Sequence, residues 1–171
     1  MWKAPAGLEA TLQGLLPARM LGDGQQALLD PIAINCLRRF PQGTAVWGAR
    51  TLAGADARGD AYKYVAVRRT ALFLEDSMQR GLAWTVFEAN HEALWARVRL
   101  SATAFLDNFF RLGAFQGRSP RDAYFVKCDA ATTTRADVEA GILHLEVGFA
   151  PLKPAEFLEL RIALQAASPG A

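Results

Sequence analysis

The middle of the chain carries two helical repeats of apolar residues. From about Val65 to Leu82, apolar residues recur every three to four positions, and arginines and carboxylates occupy most positions between them. This spacing puts the apolar side chains on one face and predicts an amphipathic helix. The repeating apolar residues are Val67, Ala71, Leu74, Met78 and Leu82.

A second helix is predicted from His91 to about Leu112. Asn90 stands where an N-cap residue is preferred, and Gly113 stands where a helix commonly ends. The length of this helix, about 33 Å at 1.5 Å per residue, is enough to cross a small domain. Its expected apolar stripe is Leu94, Val98, Phe105, Phe109 and Leu112.

The last third of the chain alternates between apolar and polar residues. Segments 142–149 and 157–165 both follow a period of two, which predicts two strands with one buried and one solvated face. Pro151 and Pro154 separate them. The apolar positions of the second segment are Phe157, Leu158, Leu160, Ile162 and Leu164.

Shorter apolar runs complete the predicted elements. Strands are expected at 44–51 and 123–128, and residues 84–87 are expected to form a short buried strand. Segment 32–40 is compatible with either a strand or a helical turn.

The order of these elements predicts an α+β fold: a mixed β-sheet with two amphipathic helices packed on one face and extended N- and C-terminal arms. Residues 1–29 are interrupted by several glycines and are expected to form an irregular arm or linker. The expected division is an arm at 1–29, an α+β domain at 30–165 and a flexible tail at 166–171.

Composition and charge exclude several classes of function. The formal net charge is +2, and the basic residues form no run, so neither nucleic-acid binding nor binding to an anionic membrane is indicated. The sequence contains neither a signal-peptide pattern nor an apolar run of about 18 residues, so direct membrane insertion is not expected. These features favour a protein made in the cytoplasm.

The residues that could support chemistry are few and scattered. Cys36 and Cys128 could act as thiols only beside a histidine, and only His91 and His144 are available. The spacing of these four residues fits no metal site, and no phosphate-binding glycine motif is present. Trp47 close to Arg50 is most simply a core residue beside an exposed tip. We therefore predict no catalytic residue, no metal and no cofactor.

Taken together, the segments resemble the C-terminal domain of contractile phage tail sheath proteins. Two strings carry most of the specificity. One is GARTL at 48–52, and the other runs from Arg68 and Arg69 through Trp84, Phe87 and Glu88 to Asn90. The similar segments are 2–6, 30–41, 43–52, 62–90, 94–99, 124–129 and 141–162.

The resemblance implies a structural role, in which subunits polymerise around an inner tube and contract to drive it through a membrane. The implied partners are other sheath subunits in a helical homo-oligomer, the inner tail tube and the baseplate. The implied location is a virion tail or injection particle assembled in the bacterial cytoplasm. The alternative is a stand-alone binding or adaptor domain of a tail or baseplate assembly. Phage, tailocin and injection-system origins all remain open.

Two sets of site residues follow from the resemblance. Sheath arms add strands to the sheets of neighbouring subunits, and the alternating strand with Phe157, Leu158, Leu160, Ile162 and Leu164 suits that role. An ordinary hairpin between this strand and 142–149 is an equal alternative for the isolated domain. Sheath domains also meet the inner tube through a charged helix, for which Asp107 and Arg111 are the candidates here.

Overall fold

The computed structural model describes residues 2–152 and 158–168. The chain divides into two compact units, Met1–Thr70 and Ala71–Ala171. Each unit contains one three-stranded antiparallel sheet. The α+β class is therefore confirmed, while the single mixed sheet that was expected is replaced, in the described residues, by two antiparallel ones.

The first unit is built on a hairpin. Strands β2 (Cys36–Phe40) and β3 (Gly43–Trp47) are antiparallel neighbours, and β1 (Thr11–Leu12) pairs with the other side of β3. Helix α1 (Asp23–Leu29) lies between β1 and β2 in the sequence and leads into a 3₁₀ turn at Asp30–Ile32. None of residues 2–29 is fully buried, so this segment contributes little to the core of its unit.

Two long helices form where they were predicted, and their buried faces include most residues of the predicted apolar stripes. Helix α2 (Val65–Gly81) matches its expected range, and it continues from the first unit into the second. Helix α3 (Glu92–Arg111) ends before Gly113, whose φ of 74° is the left-handed conformation that favours glycine. The buried face of α3 consists of Leu94, Trp95, Val98, Ala102, Leu106 and Phe109.

A row of aromatic rings joins the helices to the second sheet. The Phe73 ring of α2 lies 5.4 Å from the Phe109 ring of α3, and Phe109 lies 6.4 Å from Phe115. The Phe115 ring is in turn 5.6 Å from Phe149. Such edge-to-face and tilted ring pairs add to the stabilisation that burial alone provides.

The second sheet has the strand order β4-β5-β6. Helix α4 (Pro120–Ala123) leads into β4 (Tyr124–Lys127), and helix α5 (Arg135–Glu139) precedes β5 (Ile142–Phe149). Strand β6 (Leu158–Gln165) alternates strictly between buried and exposed residues. The predicted period-two alternation is confirmed in β6 and for most of β5, and β6 pairs with β5 along all eight residues.

Several predicted elements need correction. Residues 84–87 are part of a 3₁₀ helix at Ala83–Phe87, because the Thr85 N–H bonds back to the Leu82 carbonyl instead of to a strand. Phe87 is 87% exposed. The strand expected at 44–51 ends at Trp47, because the Asn35 side chain binds both the N–H and the C=O of Arg50.

The ambiguous segment 32–40 contains both kinds of structure. It begins in the 3₁₀ turn, passes through Ala33 in the left-handed conformation at φ 65°, and becomes β2 at Cys36.

On α3, the expected stripe residue Leu112 is 58% exposed because it is the capping residue beyond the last helical turn, and Phe105 is only half-buried.

Candidate interaction surfaces

The hydrogen-bond pattern of β6 defines which of its backbone groups are free. The Ala166 N–H donates to the Gly141 carbonyl, so in this antiparallel pair every second residue from Ala166 back to Leu158 faces β5. The residues between them direct their N–H and C=O groups to the outer edge. No described residue pairs with the stretch of that edge from Glu159 to Ala163.

One end of this outer edge is closed by residues 83–90, which we call the clasp. The Thr85 hydroxyl lies 2.7 Å from the Gln165 carbonyl oxygen, and the Ala167 N–H donates to the Glu88 carbonyl at 3.0 Å. Ala89 also forms a parallel bridge with Ala167. Ala166 and Ala167 were expected to begin a flexible tail, but Ala167 is held by the clasp, and Ala166 is buried and bonded to Gly141.

The opposite edge of the sheet, on β4, is closed at both ends. The Tyr124 N–H donates to the Pro120 carbonyl, and the Arg99 guanidinium donates to the Cys128 carbonyl. The Ala150 N–H donates to the Ala123 carbonyl, so every second residue of β4, counted from Ala123, directs its main-chain groups towards β5. Val126 lies between two such residues, so its N–H and C=O face outward, and it is the interior position of this edge. In the described residues, the longer free edge of the second sheet is therefore that of β6.

The side chains predicted for the arm strand lie in the core of the second unit. Leu158, Leu160, Ile162 and Leu164 are all buried against the chain's own sheet. Phe157 lies outside the described residues. The isolated chain therefore forms the hairpin alternative. These side chains are buried, and what β6 leaves free is the main chain along its outer edge.

Asp107 and Arg111 are brought together by the helix. They form an i,i+4 ion pair at 2.7 Å on α3, with Arg111 largely exposed and Asp107 half-buried. Burial raises the pKa of the Tyr124 phenol, and the nearby Asp107 carboxylate raises it further. Because Arg111 is largely exposed, its side of the pair contributes little to stability, so Arg111 can be altered without unfolding the domain.

Arg50 organises the first unit, and sequence reasoning missed this role. Its buried guanidinium binds Asp30 through two hydrogen bonds, Asp56 at 2.6 Å and the Gly54 carbonyl at 2.8 Å. Lys63 also pairs with Asp56. The Arg50 pKa is raised, mainly by Asp30 and then by Asp56. The GARTL string that includes Arg50 was the available signal, but its partners lie in two other segments.

The candidate thiols and histidines do not form a reactive pair. Burial raises the pKa of Cys128 to about 12, which disfavours the nucleophilic thiolate. The side chain of His144 lies 3.5 Å from Asp137, and His91 is the N-cap of α3. Among residues 2–152 and 158–168, no cluster of three or more His, Cys, Asp or Glu side chains is placed to hold a metal ion.

No helix within the described residues has the length and apolar character needed to cross a membrane.

Comparison with solved structures gives a consistent class. The chain is 38% identical to a chain of the PVC sheath complex, an extracellular contractile injection system in its contracted state, with a TM-score of 0.79. It is 34% identical to a chain of the anti-feeding prophage baseplate, with a TM-score of 0.78. Each match covers 93% of this chain but only 44% of the other. A sheath tail protein of Desulfitobacterium hafniense shares the fold at a TM-score of 0.66 and 9% identity, covering 86% of this chain and 33% of that one.

These similarities, seen with an antiparallel sheet that has a free edge, indicate a structural domain of contractile sheaths. The sequence profile of the phage tail sheath C-terminal domain matches residues 57–165. The chain belongs to this family. A search of curated proteins found no match.

Proposed function

We propose that this chain acts as the C-terminal domain of a sheath subunit in a contractile injection particle or phage tail, with no catalytic activity. Copies polymerise around an inner tube, and contraction of the polymer drives the tube through a membrane. The observation that carries the proposal is the 38% identity to a chain of a contracted sheath complex over 93% of this chain.

Strand addition between copies is the proposed means of assembly. The outer edge of β6 offers unpaired main-chain donors and acceptors, and an extended segment of a neighbouring copy can complete them without requiring particular side chains. The added segment is proposed to be the arm of residues 1–29. In the isolated chain its Thr11–Leu12 strand pairs with β3, and residues 2–29 bury no side chain fully. Its release therefore costs mainly polar contacts, such as the main-chain hydrogen bonds of Gly7 and Ala10 with Val46.

Two proline variants test which edge is used. Ala163→Pro removes an N–H that faces outward from β6, so it blocks an incoming strand without breaking a bond to β5. Val126→Pro is the matched control on β4. Negative-stain electron microscopy of the full-length protein is expected to show tubes or rings for the wild type and Val126→Pro, and only monomers for Ala163→Pro. Unchanged assembly of a folded Ala163→Pro protein contradicts strand addition at β6.

Deletion of residues 1–29 tests the arm. The shortened protein is expected to stay folded, with a circular dichroism spectrum that loses only the signal of α1 and β1, and to lose assembly, because residues 2–29 add no fully buried side chain to the core. Normal particles from the shortened protein would refute the arm proposal. The proposed body at 30–165 would in that case be sufficient for assembly by itself.

Contact with the inner tube is proposed for the exposed side of α3 that carries Asp107 and Arg111. Charge reversal of Arg111 to Glu leaves two carboxylates four residues apart and is expected to weaken tube binding most strongly at low salt. Arg111→Lys keeps the positive charge opposite Asp107 and serves as the control for folding. Unaltered co-sedimentation with tubes at low salt removes these residues from the proposed interface.

The second candidate is an adaptor domain of a baseplate. The 34% identity to a chain from the anti-feeding prophage baseplate favours it. An adaptor binds other components at fixed stoichiometry and does not polymerise. Mass photometry of the full-length protein, alone and with its co-expressed particle components, separates a growing polymer from a closed complex of defined mass.

A further inference from the structure

The alternation of β6 does not by itself fix where an added strand stops pairing. One face of β6 is buried and the other is exposed, so a slip of one residue would turn the apolar side chains of an added strand to the wrong face. A slip of two residues keeps the same faces, because the side chains alternate with a period of two. In a helical polymer, every copy must nevertheless accept its neighbour's strand in the same position, so another feature must define where pairing stops.

The clasp at residues 83–90 is placed to provide that stop. The Thr85 hydroxyl lies 2.7 Å from the Gln165 carbonyl oxygen and 2.9 Å from the Leu82 carbonyl oxygen, and the Glu88 carbonyl accepts from the Ala167 N–H. The Gln165 carbonyl and the Ala167 N–H both face the outer edge of β6. An antiparallel strand that continued past Ala163 would have to place an N–H where the Thr85 hydroxyl lies, so it meets the clasp at that point. Without the Thr85 hydroxyl, pairing could advance by one further outward-facing residue, to Gln165.

The clasp is itself anchored to elements on either side of it. The Asn90 amide donates to the Ile142 carbonyl at the start of β5, at 2.9 Å, and accepts a hydrogen bond from the Trp95 indole of α3 at 2.8 Å. Arg97 of α3 pairs with Glu88 at 2.9 Å and lies 4.6 Å from the Trp84 ring centroid. These contacts hold the clasp against the end of the edge.

We propose that the clasp is a register stop, which confines the strand added by a second copy of this chain to the β6 edge from Glu159 to Ala163. This rests on the proposed function, since it requires strand addition at β6. Thr85 acts as a positioning residue: its hydroxyl occupies the next main-chain acceptor and does not itself bind the neighbour.

Residue-resolved hydrogen exchange of the full-length protein tests the stop. On assembly of the wild type, the amides of Glu159, Arg161 and Ala163 are expected to exchange at least about tenfold more slowly, while the Gln165 amide is unchanged. In Thr85→Ala, which removes the hydroxyl and leaves room for main chain, protection is expected to extend to Gln165. Slowed exchange at Gln165 in the assembled wild type, or a boundary at Ala163 in assembled Thr85→Ala, overturns the proposal.

Two controls separate this result from other effects. Thr85→Ser removes the same methyl group and keeps the hydroxyl, so its boundary should remain at Ala163. Thr70→Ala removes a buried hydroxyl that bonds the Ala66 carbonyl within helix α2, and should also leave the boundary unchanged. Failure of strand addition itself is recognised separately, because no amide of β6 is then protected in any variant. If Thr85→Ala does not fold, the wild-type boundary alone still decides the question.

Discussion

The Arg50 guanidinium holds the Asp30 carboxylate with two hydrogen bonds, from Nε to Oδ1 at 3.1 Å and from Nη2 to Oδ2 at 2.5 Å. This paired geometry is available to arginine and not to lysine. Because the same guanidinium also binds Asp56 and the Gly54 carbonyl, one side chain connects the turn before β2 with the loop after β3.

Replacing Arg50 is therefore expected to destabilise the first unit. Arg50→Met should lower the free energy of unfolding by about 2–3 kcal/mol, since it leaves the Asp30 carboxylate and the Gly54 carbonyl without this donor and leaves Asp56 with Lys63 alone. Arg58→Met, in the same loop at an exposed position, should change it by less than about 0.5 kcal/mol. Urea denaturation followed by circular dichroism measures both, and equal effects of the two changes contradict the role given to Arg50.

Asp56 should make stability depend on pH in the acid range. Its pKa is lowered from 3.8 to about 2, first by the hydrogen bond from Arg50 and then by Lys63. A carboxyl with a lower pKa in the folded chain binds fewer protons there, so its stabilisation is complete above about pH 4 and is lost as the pH falls towards 2. The difference in unfolding free energy between wild type and Asp56→Asn should shrink across that range. A constant difference from pH 5 to pH 2 argues against this pairing.

How far the sequence predicts this structure depends on the range of the interactions. The period-two pattern was sufficient for β5 and β6, and the helical period for α2 and α3, because burial of one face produces both patterns locally. Residues 84–87 of the clasp were misread as a strand because a short apolar run does not distinguish a strand from a 3₁₀ turn, and the contact from Thr85 to Gln165, 80 residues away, forms only in the fold. The role of Arg50 was missed for the same reason, since Asp30 and Asp56 become its partners only in the folded unit.

Gly148 of β5 leaves space for the Phe125 ring of β4, its cross-strand neighbour. A Cβ at position 148 would lie 2.0 Å from the ring, so Gly148→Ala forces the ring to move. We expect a loss of about 1–3 kcal/mol in unfolding free energy. In the Phe125→Ala background the same change should be neutral or stabilising, because glycine is unfavourable in a strand once nothing occupies its space. Equal effects in both backgrounds, measured by a double-mutant cycle, would exclude the coupling.

The N-cap of α3 is His91 and not Asn90, which the sequence suggested for that position. His91 is the N-cap of α3, where its Nδ1 accepts a 3.4 Å hydrogen bond from Leu94, while Asn90 is buried and joins Ile142 to Trp95. Asn90→Ala leaves a carbonyl and an indole N–H unpartnered and should cost about 2–4 kcal/mol. His91→Ala removes only a long capping bond at an exposed position and should cost less than about 1 kcal/mol. Chemical denaturation of the two variants decides between these assignments: a larger loss for His91→Ala would mean that capping of α3, and not the buried amide, secures this junction.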